Sequence, residues 1–269
     1  VRKTITIEQY PLGGVLDEGK KKKKPIPFIY DYICDNNSVT LCHVLTQEPL
    51  IHFSIPETLG GLPVTSLTDE LFAGMESLVS VTIPNSVKTI EGGAFAKCIN
   101  LKSVTLPKAL RKIDDFTFSG CISLEAITLP PKILTISEYA FMKCKTLQEI
   151  IIPEGVTAIE ESAFTKCYSL RSVKIPDSVI SIGANAFSSC KLLSEITLPP
   201  NLMYIGNKAF SNCKSLTHLI VPETISVLGS FVFAGCNALK ELKLPERFNN
   251  QMDELLSDIE MEDDLDLDS

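Results

Sequence analysis

The sequence predicts an α/β solenoid, a right-handed coil with a parallel β-sheet on its concave face and short helical turns closing each coil. Three observations predict it. Phe72, Phe95, Phe118, Phe141, Phe164, Phe187, Phe210 and Phe233 follow one another at 23 residues, with no insertion or deletion. The columns Leu78 to Leu239 and Pro84 to Pro245 keep the same step unbroken, and Cys98 to Cys236 fills seven of eight places, Met75 taking the first. Within each copy a period-two alternation runs into the proline, as at Val104, Leu106 and Pro107. A strict period of this length marks a stack of small units that cannot fold alone.

The chain divides into four segments. In residues 1–27, Thr4-Ile5-Thr6-Ile7 alternates like a strand, and Lys20–Lys24 follows as five consecutive lysines. Such a run repels itself and reads as a solvated linker or an anionic-surface patch. Residues 28–64 predict an N-terminal β cap, Phe28–Leu45, with a hairpin turn at Asp35-Asn36-Asn37-Ser38, then a longer first turn through Gly60-Gly61. Residues 65–248 hold the eight copies. In each, a short strand ends at the proline, because proline cannot donate to a ladder bond. A second alternating stretch centred on Ile90, Ile113, Ile136, Ile159, Ile182, Ile205 and Leu228 predicts a weaker second ladder. The Ala-Phe pair, as in Ala94-Phe95, predicts the helical turn.

The acidic segment 249–269 places Met252, Leu255, Leu256 and Ile259 at i, i+3, i+4 and i+7, one face of a helix. Two readings fit: a helix over 251–260 that caps the last coil, or a free segment that folds on a partner.

The string Cys-x-x-Leu-x-x-(Val/Ile/Leu)-x-(Ile/Leu/Val)-Pro, followed by Ile and then Ala-Phe, resembles the 23-residue leucine-rich repeat of the BspA-like (Treponema) type. The resemblance covers about residues 28–248, including the longer first turn Ile55–Leu67. It implies a surface or secreted adhesion protein that binds host or matrix proteins. It is specific for fold and says little about function, since one fold hosts many functions.

Composition narrows the classes. The 269 residues are 45% hydrophobic, enough for a large core, and contain no Trp. No apolar run approaches the roughly 18 residues of a membrane span. Residues 1–15 lack the layout of a secretory signal. The net charge of -8 is a property of the tail, because residues 249–269 carry nine acids and no base, leaving 24 acids against 25 bases elsewhere. No basic stripe is present to neutralise phosphates, which argues against nucleic-acid binding. The periodic cysteines point the same way on successive coils, so they predict a column of small buried thiols rather than disulfides. Cys34 and Cys42 match no metal spacing.

Nothing assembles into a catalytic site. His43, His52 and His218 are scattered, no His-Glu-x-x-His, Cys-x-x-Cys or Gly-x-Ser-x-Gly string occurs, and Asp114-Asp115 and Glu160-Glu161 read as solvated pairs. The chain is therefore expected to be no enzyme and to need no metal or cofactor. Asn36-Asn37-Ser38 fits a glycosylation triplet but is explained by turn chemistry.

The positions the repeat leaves free carry the candidate site. Flanking each buried strand residue, one column reads Ser80, Ser103, Ala126, Glu149, Ser172, Glu195, His218, Glu241 and the other Thr82, Thr105, Thr128, Ile151, Lys174, Thr197, Ile220, Lys243. Small groups in the first three copies give way to charged and larger ones from the fourth. Glu149, Ile151, Lys174, Glu195, His218 and Ile220 form the expected protein-binding site, two isoleucines rimmed by mixed charge. The competing explanation is that β-branched and small polar residues suit an exposed sheet. Two functional readings follow: a non-catalytic surface or secreted binding protein, or a cytoplasmic scaffold that recruits a partner through the repeat face and the acidic tail.

Overall fold

The computed structural model describes residues 2–9, 26–35, 37–46 and 49–256. Its organising element is the phenylalanine column. From Phe72 to Phe210 successive rings stack with centroids 5.2–5.5 Å apart, and Phe233 continues at 6.1 Å. Every one of these rings is buried, together with the Leu, Ile and Cys columns, in one core that runs the length of the stack. One large ring per coil fills the space that thin coils of Leu, Ile and Val leave.

The turn around each Phe differs from the helical turn expected from Ala-Phe. Left-handed residues stand two before and two after it: Gly93 and Lys97 at φ 65° and 57°, Tyr139 and Lys143 at 57° and 60°, Asn185 and Ser189 at 55° and 60°. The amides of Gly93, Phe95 and Lys97 donate to the carbonyls of Asp115, Thr117 and Ser119 on the next coil at 2.8, 2.9 and 2.6 Å. Those of Ala96 and Cys98 close local turns onto Gly93 and Phe95 at 2.8 and 3.2 Å. A helix directs every amide back along its own chain. Here alternate amides bond between coils, so the turn is itself an inter-coil ladder. Among the described residues the helices are a 3-10 helix, Glu246–Gln251, and an α-helix, Met252–Leu256.

The two strand ladders also reverse their expected ranks. From its second member the isoleucine column forms one parallel sheet of six two-residue strands, Lys112–Ile113 to Val227–Leu228, while Thr89–Ile90 pairs with Leu62–Leu67 of the N-terminal sheet. The strand column before the prolines is cut into three. His52–Ser54, Ser80–Thr82 and Ser103–Thr105 pair; so do Glu149–Ile151, Ser172–Lys174 and Glu195–Ile196, and then His218–Ile220 with Glu241–Lys243. Residues 126–128 form no strand. Both interruptions coincide with a second proline, at Leu129-Pro130-Pro131 and Leu198-Pro199-Pro200. Where the ladder continues, the residue before the proline can donate to the next coil, as Ile83 does to Thr105 and Ile152 to Lys174 at 3.0 Å and Val221 to Lys243 at 2.9 Å; Leu106 and Ile175, whose next coils are the interrupted ones, do not. Consecutive prolines fix two φ angles and restrict the residue before each. At these two copies the exit bond is not made.

At the N-terminal end, Ile26–Cys34 and Val39–Thr46 form the expected hairpin, with the Asp35 amide on the Ser38 carbonyl at 3.0 Å. The strand signalled by Thr4–Ile7 spans Arg2–Gln9 and pairs antiparallel with Ile26–Cys34. The sheet continues through Leu62–Leu67 into the first coil. Gly60 and Gly61, at φ 58° and 83°, turn the chain between Thr58–Leu59 and Leu62–Leu67, where both central residues need positive φ. The lysine run 20–24 and residue 36 lie outside the described residues.

The cysteines are free, and the seven of the column are buried. Each thiol donates to the carbonyl of the Phe in the preceding coil, from Cys98 to Phe72 at 3.0 Å through Cys236 to Phe210 at 3.1 Å. Met75 stands at the first place because no Phe carbonyl of the column lies below it. Burial pushes the Cys98 and Cys167 thiols up to about 12, and moves Cys121, Cys144, Cys190 and Cys213 upward as well.

Protonation of these thiols is linked to folding. Their raised native values mean that the stabilisation is intact below the unfolded thiol pKa of about 8.5 and fades as pH rises above it. Thiol titration at pH 8 is expected to modify the column only after unfolding, and stability to decline above about pH 9. Rapid native labelling of Cys98–Cys236 would contradict this.

Candidate functional site

The strand face presents the sequence-derived candidates in two groups. In the middle sheet Glu149 pairs with Ser172 and Ser172 with Glu195, while Ile151 stands beside Lys174. Glu149, Ile151, Lys174 and Glu195 are thus brought together. His218 and Ile220 lie on the following sheet, beside Glu241 and Lys243, beyond the second interruption. The alternation of the strands produces the exposure: in Glu149-Ile150-Ile151 the middle residue is buried and its neighbours face outward. Ile151 is 64% exposed and Ile220 62%, the two most exposed large hydrophobic side chains among the described residues.

Two depressions adjoin Ile151. One, of about 410 Å³, is lined by Glu149, Ile151, Lys174, Glu195 and Thr197. The other, of about 450 Å³, lies between copies three and four and is lined by Ala126, Thr128, Pro131, Ile151, Pro153 and Glu154. The second opens where the ladder is interrupted, and sequence reasoning missed it by starting the site at the fourth copy. Pro130-Pro131 was its available signal. Glu149, Lys174 and Glu195 make no ion pair among the described residues, so their charges remain available to a ligand. On the neighbouring sheet Lys243 and Glu241 pair at 2.8 Å, which lowers the Glu241 carboxyl and raises the Lys243 ammonium, and His218 Nδ1 lies 2.9 Å from Thr217 Oγ1.

The other histidines lie elsewhere. His52 Nδ1 meets Ser80 Oγ at 2.8 Å, and His43 Nδ1 meets Arg2 at 3.2 Å. Arg2 also reaches Asp31 at 3.3 Å, beside the Thr4 hydroxyl bond of 2.5 Å; the Thr4 bond first, then Arg2, holds the Asp31 carboxyl below its usual range. These contacts tie Arg2–Gln9 to the N-terminal sheet. Among the described residues no three His, Cys, Asp or Glu side chains are grouped to hold a metal ion, and no helix is long and apolar enough to cross a membrane.

The geometry agrees with the comparisons. The model of the BspA type leucine rich repeat region matches residues 65–191 and 157–263, with six copies. The crystal structure of a leucine-rich repeat protein from Treponema pallidum is 28% identical, with a TM-score of 0.55, over 85% of this chain and 92% of that one. A leucine-rich repeat protein from Bacteroides ovatus is 20% identical over 81% of this chain and 87% of its own, with a TM-score of 0.49. The pneumococcal vaccine antigen PcpA is 19% identical over 80% and 79%, with a TM-score of 0.37. No curated protein matches the chain significantly. Leucine-rich repeat proteins generally mediate protein–protein interaction and are typically non-catalytic. The matched model covers well over half of the sequence, and the chain belongs to the BspA-type leucine-rich repeat family.

Proposed function

We propose that the protein is a surface or secreted adhesion protein that binds a host or matrix protein through the strand face of copies four to seven. The observation that carries this reading is Ile151, an exposed isoleucine between two depressions and rimmed by the unpaired Glu149, Lys174 and Glu195. Binding energy concentrates where an apolar group is desolvated inside a polar rim. Ile220, beside Lys243 on the next sheet, is a second exposed isoleucine of the same face, there next to the Lys243–Glu241 pair. The surface location rests on the family resemblance.

The test is a double variant, Ile151→Ser with Ile220→Ser, assayed against immobilised extracellular-matrix proteins. Both side chains are mostly exposed, so stability is expected to change by no more than about 0.5 kcal/mol. Affinity is expected to fall at least tenfold, the loss of roughly 1.4 kcal/mol. Unaltered binding by the folded double variant defeats the placement. Failure of the native protein to bind any matrix component defeats the adhesion role.

A further inference from the structure

Two residues before each buried Phe, the turn carries a left-handed residue. Gly93, Ser162 and Asn185 occupy that place in neighbouring copies. Copies three and four place Phe116 and Tyr139 there instead, at φ 56° and 57°, a region that bulky side chains rarely adopt. Neither ring belongs to the core, which takes Phe118 and Phe141 from the same coils. The two stack on each other, centroids 4.7 Å apart and planes within 5°, with Phe116 42% exposed. Phe231 holds the same place in the last copy, but Lys208 precedes it in the column and gives it no ring to stack on. The left-handed place belongs to every copy; what is particular here is that two large rings, Phe116 exposed and Tyr139 half-buried, occupy it and stack outside the core.

Carboxylates gather around this pair. Asp114, Asp115, Glu138, Glu160 and Glu161 come from three successive copies, against the ammonium of Lys112, already 2.8 Å from Asp114. The Tyr139 hydroxyl donates to Glu161 Oε1 at 3.3 Å. Burial raises the Glu160 carboxyl; Lys112 opposes the rise, and Asp115 and Glu138 add to it. The acids stop after copy five. There the column continues as Gly183, Gly206 and Gly229, where a Cβ would meet the preceding coil at 2.4–2.6 Å. The acidic edge therefore ends just past the aromatic pair, while Asp69, Glu70 and Glu91 continue it towards the first copies.

We propose that this edge is a second binding surface, which takes an arginine-bearing basic segment of a partner protein. A guanidinium is planar, stacks on aromatic faces and hydrogen-bonds carboxylates through its fork of donors, so it matches both components of the site. A sugar ring could stack on the platform and donate hydroxyls to a carboxylate, but a neutral ligand leaves the clustered negative charge uncompensated. The surface is distinct from the strand face and does not depend on Ile151.

The probe is a fluorescein-labelled Gly-Arg-Gly-Arg-Gly-Arg-Gly peptide titrated by anisotropy, with its citrulline counterpart and cellohexaose as comparisons. The arginine peptide is expected to bind, more tightly at lower salt, and the citrulline peptide at least about tenfold more weakly. The double variant Phe116→Gly with Tyr139→Asn is expected to lose about tenfold in affinity. Its melting temperature should hold or rise, because both residues suit positive φ. Asp115→Asn with Glu161→Gln should weaken binding, and Ile151→Ser should leave it unchanged. Equal affinity of the aromatic double variant, equal affinity for citrulline, preference for cellohexaose, or no binding of the arginine peptide would each overturn the proposal.

Discussion

Phe141→Ala is expected to lower stability by about 3–5 kcal/mol, the range for removing a fully buried aromatic ring. Phe141 is fully buried and stacked between Phe118 at 5.4 Å and Phe164 at 5.2 Å, so its loss leaves a void bounded by rings above and below. The coils on either side cannot close it, because the amide of Phe141 and that of Phe118 are both tied to carbonyls of the next coil at 2.8 Å. Phe233→Ala should cost less. Its ring has one stacked neighbour, Phe210, at the longer distance of 6.1 Å. In a repeat protein, stability is close to a sum of unit and nearest-neighbour contributions, so position along the stack matters. Urea titration of the two variants measures the difference, and equal losses would contradict the nearest-neighbour account.

Truncation after Asn249 is expected to cost about 2–4 kcal/mol, combining one buried leucine with one hydrogen bond. In the seven preceding copies the amide of the column Phe donates to the next coil; Phe233, the last, donates to the carbonyl of Leu255 at 3.0 Å. Leu255 is buried against the same core. The helices Glu246–Gln251 and Met252–Leu256 thus supply the last coil with the carbonyl and apolar cover that another repeat would have supplied. Arg247 helps by donating to the carbonyls of Glu223 and Ile225. Of the helix expected over 251–260, Met252–Leu256 is helical, with Leu255 inward but Leu256 outward, off the expected apolar face; Ile259 lies outside the described residues. Differential scanning of the truncated chain should show a lower melting temperature and aggregation on heating. An unchanged melting curve would mean that the segment contributes nothing to the stack.

The candidate surface was legible only in part. Exposure of Ile151 and Ile220 follows from strand alternation, and both face outward as their positions require. Their division between two sheets does not follow, since it depends on bonds between coils that no single repeat contains. The Phe116–Tyr139 pair was present in the sequence as two aromatics 23 residues apart. The repeat pattern assigns them no role, and only the structure shows the two rings stacked.

By itself the sequence determined the coil, its length and the identity of the Phe, Leu, Ile and Cys columns. Each column is one contact repeated seven or eight times, and the period of the contact is the period of the chain. It also predicted that the cysteines form a thiol column, and it left open whether the acidic segment covers the end of the stack or folds on a partner. Tertiary structure alone decided how the backbone runs between those columns. The left-handed places beside each Phe are filled by Glu70, Lys97, Phe116, Asn185 and Gly235 alike, so no residue type announces them. What holds them is the pair of amides bonded to a neighbouring coil about one repeat away in sequence. Hydrogen bonds between coils join residues that share no local pattern, and they set the turn conformation, the breaks in the strand face and the partner of each thiol.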